Sequence, residues 1–297
     1  MSYLQAMIIG LVQGTTELFP ISSLGHAVLI PAWIGGSWHH LVAEESSKES
    51  EYLAFIVVLH VATALALLTF FWREWVAIIH GFFRSIARRK IETVYERMAW
   101  LIVIATIPAG LTGLALEHAL RTLFAKPLAA ATFLTVNGFI LLAGERLRRR
   151  SVNAKPDDAP ETRTPEEIDG GVTETVGPVT AGTVGVAQIG ALFAGISRSG
   201  ITMVAGLLRG LDHEQAVRFS FLLATPIILA AGVLKIPDFT GPNGAGIRGQ
   251  ALAGAAVAFV AALLTTKFLT KYFETRTLTP FGIYCLVFGA VSLVHFA

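Results

Sequence analysis

Apolar residues in this chain run in long blocks, without the short alternation of strands or the single stripe of a soluble surface helix. Blocks at about 52–71, 99–116, 128–144, 215–234, 250–266 and 279–296 each approach the roughly 20 residues that a helix needs to cross a bilayer. They predict six transmembrane helices. Two further apolar stretches, 1–36 and 179–208, are each interrupted by a polar break of Gly, Ser and Pro type. Their arms hold sixteen or fewer clearly apolar residues. At about 1.5 Å per residue such arms reach roughly 24 Å, short of the ~30 Å hydrocarbon core. Broken half-helices that dip in and return fit them better than full spans. One tilted helix plus a surface helix is the competing reading.

Charge in the loops then sets the sides. Segments 72–98, 145–180, 206–218 and 265–278 hold seventeen Lys and Arg together, against five in segments 36–51, 117–127 and 235–249. The positive-inside rule makes the first group cytoplasmic, so with six crossings both termini face outward. The hairpin at 1–36 then enters from outside and that at 179–208 from inside, each followed by three crossings. Sliding the chain by 175 residues lays Gln13 on Gln188, Ile21 on Ile196, Ser22 on Ser197 and Gly25 on Gly200. The predicted fold is an all-α integral membrane protein, an inverted-topology repeat of six spans and two re-entrant broken-helix hairpins. Its parts are a first repeat at 1–145, a cytoplasmic linker loop at 146–178 and a second repeat at 179–297. The stretch Arg146 to Val176, with its Arg run, prolines and acids, reads as a solvated, disordered loop.

Composition agrees. The chain is 54% hydrophobic and only 15% charged, where a soluble domain would carry roughly 25% charged residues. A formal net charge of +2 is too small to imply nucleic acid. The single cysteine, Cys285, allows no internal disulfide and reads as packing. The first sixteen residues lack the basic region of a signal peptide, so this stretch is expected to remain in the mature protein.

The breaks carry the chemistry. Glu17 is the only charged residue between Met1 and Ala43, and Arg198 the only one between Glu174 and Arg209. An ionisable group at membrane depth is costly without a partner, so its default reading is functional. Inverted repeats with broken helices place such groups at a midplane site where half-helix ends face a ligand. Pro20 favours a sharp turn, after which Leu24–Pro31 can restart a helix that offers N–H groups and a positive dipole end to a phosphate, with Ser22 and Ser23 as caps or ligand contacts. Ser197, Arg198 and Ser199 repeat the arrangement, and a guanidinium matches phosphate oxygens two at a time. Thr202 follows Arg198 by one turn and is expected on the same side. A carboxylate is repelled by phosphate unless a metal lies between them or it handles a proton. Gln13, one turn before Glu17, could share a hard divalent cation with it, Mg²⁺ or Ca²⁺. His26 lies one turn after Ser23, which permits a nucleophile–base pair or a histidine that itself attacks phosphorus.

Each residue has a plainer reading as well. Ser22 could bond a backbone carbonyl, Arg198 could simply pair with Glu17, and His60 could be structural. His39 and His40 read as solvated loop residues.

Gln13-Gly14-Thr15-Thr16-Glu17-Leu18-Phe19-Pro20-Ile21-Ser22-Ser23-Leu24-Gly25-His26 resembles the first signature of bacterial undecaprenyl-diphosphate phosphatases of the bacitracin-resistance type. Gly195-Ile196-Ser197-Arg198-Ser199-Gly200-Ile201-Thr202 is similar to the second, and Phe219–Pro226 looks like the helix that follows it. The resemblance covers nearly the whole chain apart from the 150–178 loop. It implies hydrolysis of a polyprenyl diphosphate lipid in a bacterial plasma membrane, with a divalent cation. Carried over by position, Glu17 and Gln13 would serve the metal or activate a group, Ser23 or His26 would attack, and Arg198 would clamp the diphosphate. Ser22, Gly25, Ser197, Ser199, Gly200 and Thr202 become candidate substrate-binding positions. Leu24 and Ala194 depart from the family pattern, and neither is a reacting group. A carrier that flips the lipid monophosphate is the alternative class, because inverted repeats are also transporter architecture. The resemblance leaves homo-oligomerisation open.

Overall fold

The computed structural model describes residues 1–38, 51–124, 126–152, 164–241 and 246–297. Among them every regular element is helical. In chain order these are α1 (Tyr3–Thr16), α2 (Ser23–Ile34), α3 (Glu51–Phe70), α4 (Trp72–Arg88), α5 (Val94–Phe124), α6 (Pro127–Val152) and α7 (Pro165–Thr175). Then follow α8 (Pro178–Ala187), a 3₁₀ turn (Gln188–Leu192), α9 (Arg198–Leu208), α10 (His213–Thr240), α11 (Arg248–Tyr272) and α12 (Thr279–Phe296). Six of them, α3, α5, α6, α10, α11 and α12, are long and apolar enough to cross a membrane. They coincide with the six apolar blocks, and the chain is a multi-pass membrane protein.

The two interrupted stretches are broken helices. In the first, α1 ends at Thr16 and α2 starts at Ser23; in the second, α8 and the 3₁₀ turn lead to α9 through 193–197. Packing couples the halves: α1 lies on α11, α8 on α5, α3 on α10, and α6 on α12. Exchanging the halves maps the first pair onto the second and leaves the other two unchanged, the pattern of an internal repeat. With no hydrophobic force to drive helices together in lipid, close approach of small residues supplies the contact. Gly10 of α1 sits so near α11 that a Cβ there would fall 2.9 Å from the Gly254 carbonyl carbon.

The stretch expected as a disordered linker is ordered at both ends. α6 continues through Arg146–Arg150 to Val152, and α7 begins with a capping box in which Thr164 and Glu167 bond each other's backbone N–H. α7 buries Ile168 and Val172, one turn apart, and also Asp169, which takes Arg218 of α10 at 2.6 Å. It meets α8 at a bend of 94°. Among the described residues, Pro165, Glu166 and Glu167 form a helix start and Asp169 one half of a buried ion pair. Residues 153–163 and the pair His39 and His40 lie outside the described residues.

α4 exposes Trp72, Val76, Ile79, Phe83 and Ile86. They fall at i, i+4, i+7, i+11 and i+14, one stripe of a helix that ends in Arg88 and Arg89. This is the pattern of a helix lying in a membrane interface.

Candidate active site

α1 stops where Glu17 still bonds back to Gln13 O, and the chain turns through Phe19, Pro20 and Ile21. Ser22 holds a left-handed backbone (φ 70°) that L residues adopt at a cost of order 1–3 kcal/mol. Its hydroxyl accepts from Gly25 N at 3.3 Å, capping α2, and from Gly195 N at 3.1 Å in the other break. The strained residue is therefore held by both halves of the chain. Gly195 has φ 113°, and Ser197 caps α9 by accepting from Gly200 N at 3.1 Å. Ser23 and Arg198 are thus the first residues of two helices whose N-termini line one cavity of about 290 Å³.

Glu17 lies at the centre, 8% exposed. Its Oε1 accepts from Arg198 Nη2 at 2.8 Å. Its Oε2 accepts from the Ser23 hydroxyl and from Gln13 Nε2 at 3.1 Å, with His60 Nε2 at 3.3 Å. The plainer reading of Arg198 as partner of Glu17 therefore describes this conformation. Two buried atoms of the cluster find no partner among the described residues: Arg198 Nη1, a donor, and Gln13 Oε1, an acceptor. An unmet buried polar atom costs about 1–3 kcal/mol, and here one suits an anion and the other a cation.

The rest of the cavity is apolar. Leu53, Ile56 and Val57 of α3 and Ile227, Ile228, Ala231 and Gly232 of α10 line it beside Glu17, Ser22, Ser23, His60, Ser197 and Arg198. A charged end and a greasy wall in one chamber suit an amphiphile.

Several expected residues sit elsewhere. His26 has both ring nitrogens engaged, Nδ1 with Ser22 O and Nε2 with the Tyr284 hydroxyl, each at 2.7 Å. Its ring stacks on Tyr284 and Phe288, and it is not among the residues lining the cavity. Thr202 was expected on the face of Arg198. It instead donates to Arg198 O at 2.8 Å and pairs with Ser220 at 2.7 Å, because a threonine in a helix readily returns its hydroxyl to the preceding turn. Ser199 Oγ bonds Phe19 O at 3.3 Å, tying the breaks together. Gly25 and Gly200 serve close packing: a Cβ on either would meet Gly195 Cα at 3.0 Å or Pro20 Cβ at 3.2 Å.

Two participants were missed or underweighted. His60, read as structural, faces Glu17 from α3, and the signal was a histidine alone in an apolar span. Asn137 of α6 bonds both breaks, and an amide in the block 128–144 was the signal there.

Comparison with known proteins places the chain in a family. The profile of the family described as "Bacitracin resistance protein BacA" matches residues 6–291. Undecaprenyl-diphosphatase 2 of Frankia alni is 56% identical over 338 residues, covering 100% of this chain and 98% of that protein. Undecaprenyl-diphosphatases of Mycolicibacterium paratuberculosis and Mycobacterium avium are 58% and 57% identical, each covering 100% of this chain and 98% of its own length. A match of that extent along both breaks and all six spans leaves one conclusion: the chain belongs to the BacA bacitracin-resistance family.

Proposed function

We propose that this chain hydrolyses undecaprenyl diphosphate to undecaprenyl phosphate and phosphate, which recycles a lipid carrier for cell-wall synthesis and underlies bacitracin resistance. The observation that carries the reading is the Ser23–Glu17–Arg198 cluster at the head of an apolar cavity. The relatives' names are those of a phosphatase, and the reading as a lipid-flipping carrier draws no support from them.

In the mechanism we favour, Glu17 takes the proton of Ser23 as the hydroxyl oxygen attacks the terminal phosphorus. The P–O bond to the bridging oxygen breaks, the lipid monophosphate leaves, and water then attacks phosphoserine to release phosphate. A carboxylate hydrogen-bonded to a hydroxyl is the nucleophile–base arrangement this needs. Arg198 supports the charge through Nη1 and, once Glu17 lets go, Nη2. The two helix N-termini add their dipoles. His26, with both nitrogens occupied, supports Ser22 and is less suited than Ser23 to attack. Ser22 and Ser197 shape the cavity wall at the phosphate end.

A divalent cation fits the donor set. Gln13 now gives its amide N–H₂ to Glu17 and leaves Oε1 unmet. A half-turn of that amide would set its oxygen beside the Glu17 carboxylate, an arrangement that a cation between them stabilises. Mg²⁺ or Ca²⁺ would be held by Glu17, which lines the cavity, and by Gln13, which is buried beside it and is not among the lining residues. Bound there it would neutralise charge on the diphosphate. Loop charge supports both termini facing outward, and membership of a family whose relatives are bacterial supports a bacterial plasma membrane setting.

The test is phosphate release from a polyprenyl diphosphate in detergent with added Mg²⁺, where flipping has no meaning. Ser23→Ala should lose activity by about 10³-fold or more while still binding substrate. Acid quenching of the parent enzyme with terminally labelled substrate should trap labelled phosphoserine. A fully active Ser23→Ala protein would shift the attack to water and leave hydrolysis itself standing. Absence of any release from the parent would remove the proposal altogether.

A further inference from the structure

α6 is apolar through the membrane except for two threonines and one asparagine. Thr132 and Thr135 return their hydroxyls to Leu128 O and Ala131 O, so they are satisfied within the helix. Asn137 is not. It is completely buried, and each end of its amide leaves the helix for a different part of the chain. Nδ2 donates to Pro20 O at 3.0 Å, in the first break, and to Cys285 Sγ of α12 at 3.3 Å. Oδ1 accepts from Ser197 N at 3.0 Å, in the second break.

The two main-chain partners are placed tellingly. Pro20 lies midway between Glu17 and Ser23, and Ser197 immediately precedes Arg198. A proline carbonyl and the N–H of a helix cap are both outside any helical ladder, so each needs a side chain or water when buried. One planar amide meeting both fixes their separation within the reach of a single carboxamide. The serine hydroxyls that join the breaks directly, Ser22 to Gly195 N and Ser199 to Phe19 O, belong to the breaks and move with them. Asn137 stands on a long helix packed against α12 and gives both breaks one external reference.

We propose that Asn137 is a positioning residue, setting the distance and register between the Glu17–Ser23 pair and the Arg198 guanidinium. The inference rests on the phosphatase reading above and goes beyond it, since Asn137 is not among the residues lining the cavity and its hydrogen bonds to the two breaks are with main-chain atoms. Its removal leaves each half-site chemically intact and lets the two drift. Misplacement of reacting groups by about 1 Å can cost on the order of 10²-fold in rate. A purely structural amide would lower stability and leave the turnover of folded protein alone.

The experiment is a double-mutant cycle on the full chain in detergent, with farnesyl diphosphate and Mg²⁺, reading kcat, KM and melting temperature. Asn137→Ala should lower kcat by about 10- to 100-fold with KM changed less than about threefold. In an Arg198→Lys background, where the guanidinium fork is already lost, the same change should cost less than about threefold further. Asn137→Asp keeps the acceptor for Ser197 N but sets an oxygen against Pro20 O, and it should fall with Asn137→Ala. Near-parental kcat in the folded variants, or penalties that multiply fully in the double variant, overturns the proposal. If Asn137→Ala does not fold, near-isosteric Asn137→Asp carries the same cycle, and a collapse of both, with turnover per folded molecule unchanged, also counts against it. An inactive parent would instead strike the phosphatase reading, so the two failures are separable.

Discussion

Glu17 receives Gln13, Ser23, His60 and Arg198 on two oxygens, so a change in any neighbour alters its readiness to accept a proton. Gln13 gives the sharpest test of the cation. Gln13→Glu would supply a second carboxylate and should lower the Mg²⁺ concentration for half-maximal activity by about tenfold, whereas Gln13→Leu should raise it. Titration of activity against free Mg²⁺ distinguishes these outcomes, and indifference to both substitutions would remove position 13 from the metal. Glu17, Ser23 and Arg198 were legible in the sequence because lone charges and small polar residues in an apolar stretch have few innocent explanations. His26 and Thr202 were placed by helical spacing alone. Spacing shows which residues share a helix face, but not which neighbour covers that face. Tyr284 and Ser220, remote in sequence, took those side chains.

The spans were legible for a simple reason: hydrocarbon requires a helix of fixed length, and length can be counted. α7 was not, because its burial depends on one partner. Asp169 is fully buried and reads as a solvent residue until Arg218, forty-nine positions away, is brought beside it. Arg218 also reaches Glu74 of α4 at 3.0 Å and lies over the Phe71 ring, so one guanidinium ties α4, α7 and α10 together. Arg218→Ala should therefore destabilise the protein by about 3–5 kcal/mol, because it leaves a buried carboxylate unpaired. Arg218→Met combined with Asp169→Leu should recover much of that loss, since an apolar pair of similar volume can replace a buried ion pair. Thermal unfolding in detergent measures both. Equal melting temperatures for parent and Arg218→Ala would show that α7 is held by its apolar side alone.

The halves of the chain are interleaved: each broken helix packs on a span of the other repeat, and the cavity exists only where both breaks meet. The six spans and two breaks could be counted in the sequence, but the interleaving could not, because contact between helices in lipid rests on small-residue fit that leaves little periodic trace. The cavity's carboxylate and guanidinium, Glu17 and Arg198, are joined at 2.8 Å, a pairing that offsets the charge each would show to an anion. On the phosphatase reading proposed above, a pyrophosphoryl group together with a cation would separate them from both sides at once. A lipid carrying a single phosphoryl lacks that leverage. After scission the latch should snap shut behind the departing tail, so added monophosphate lipid should inhibit only at concentrations about tenfold or more above KM.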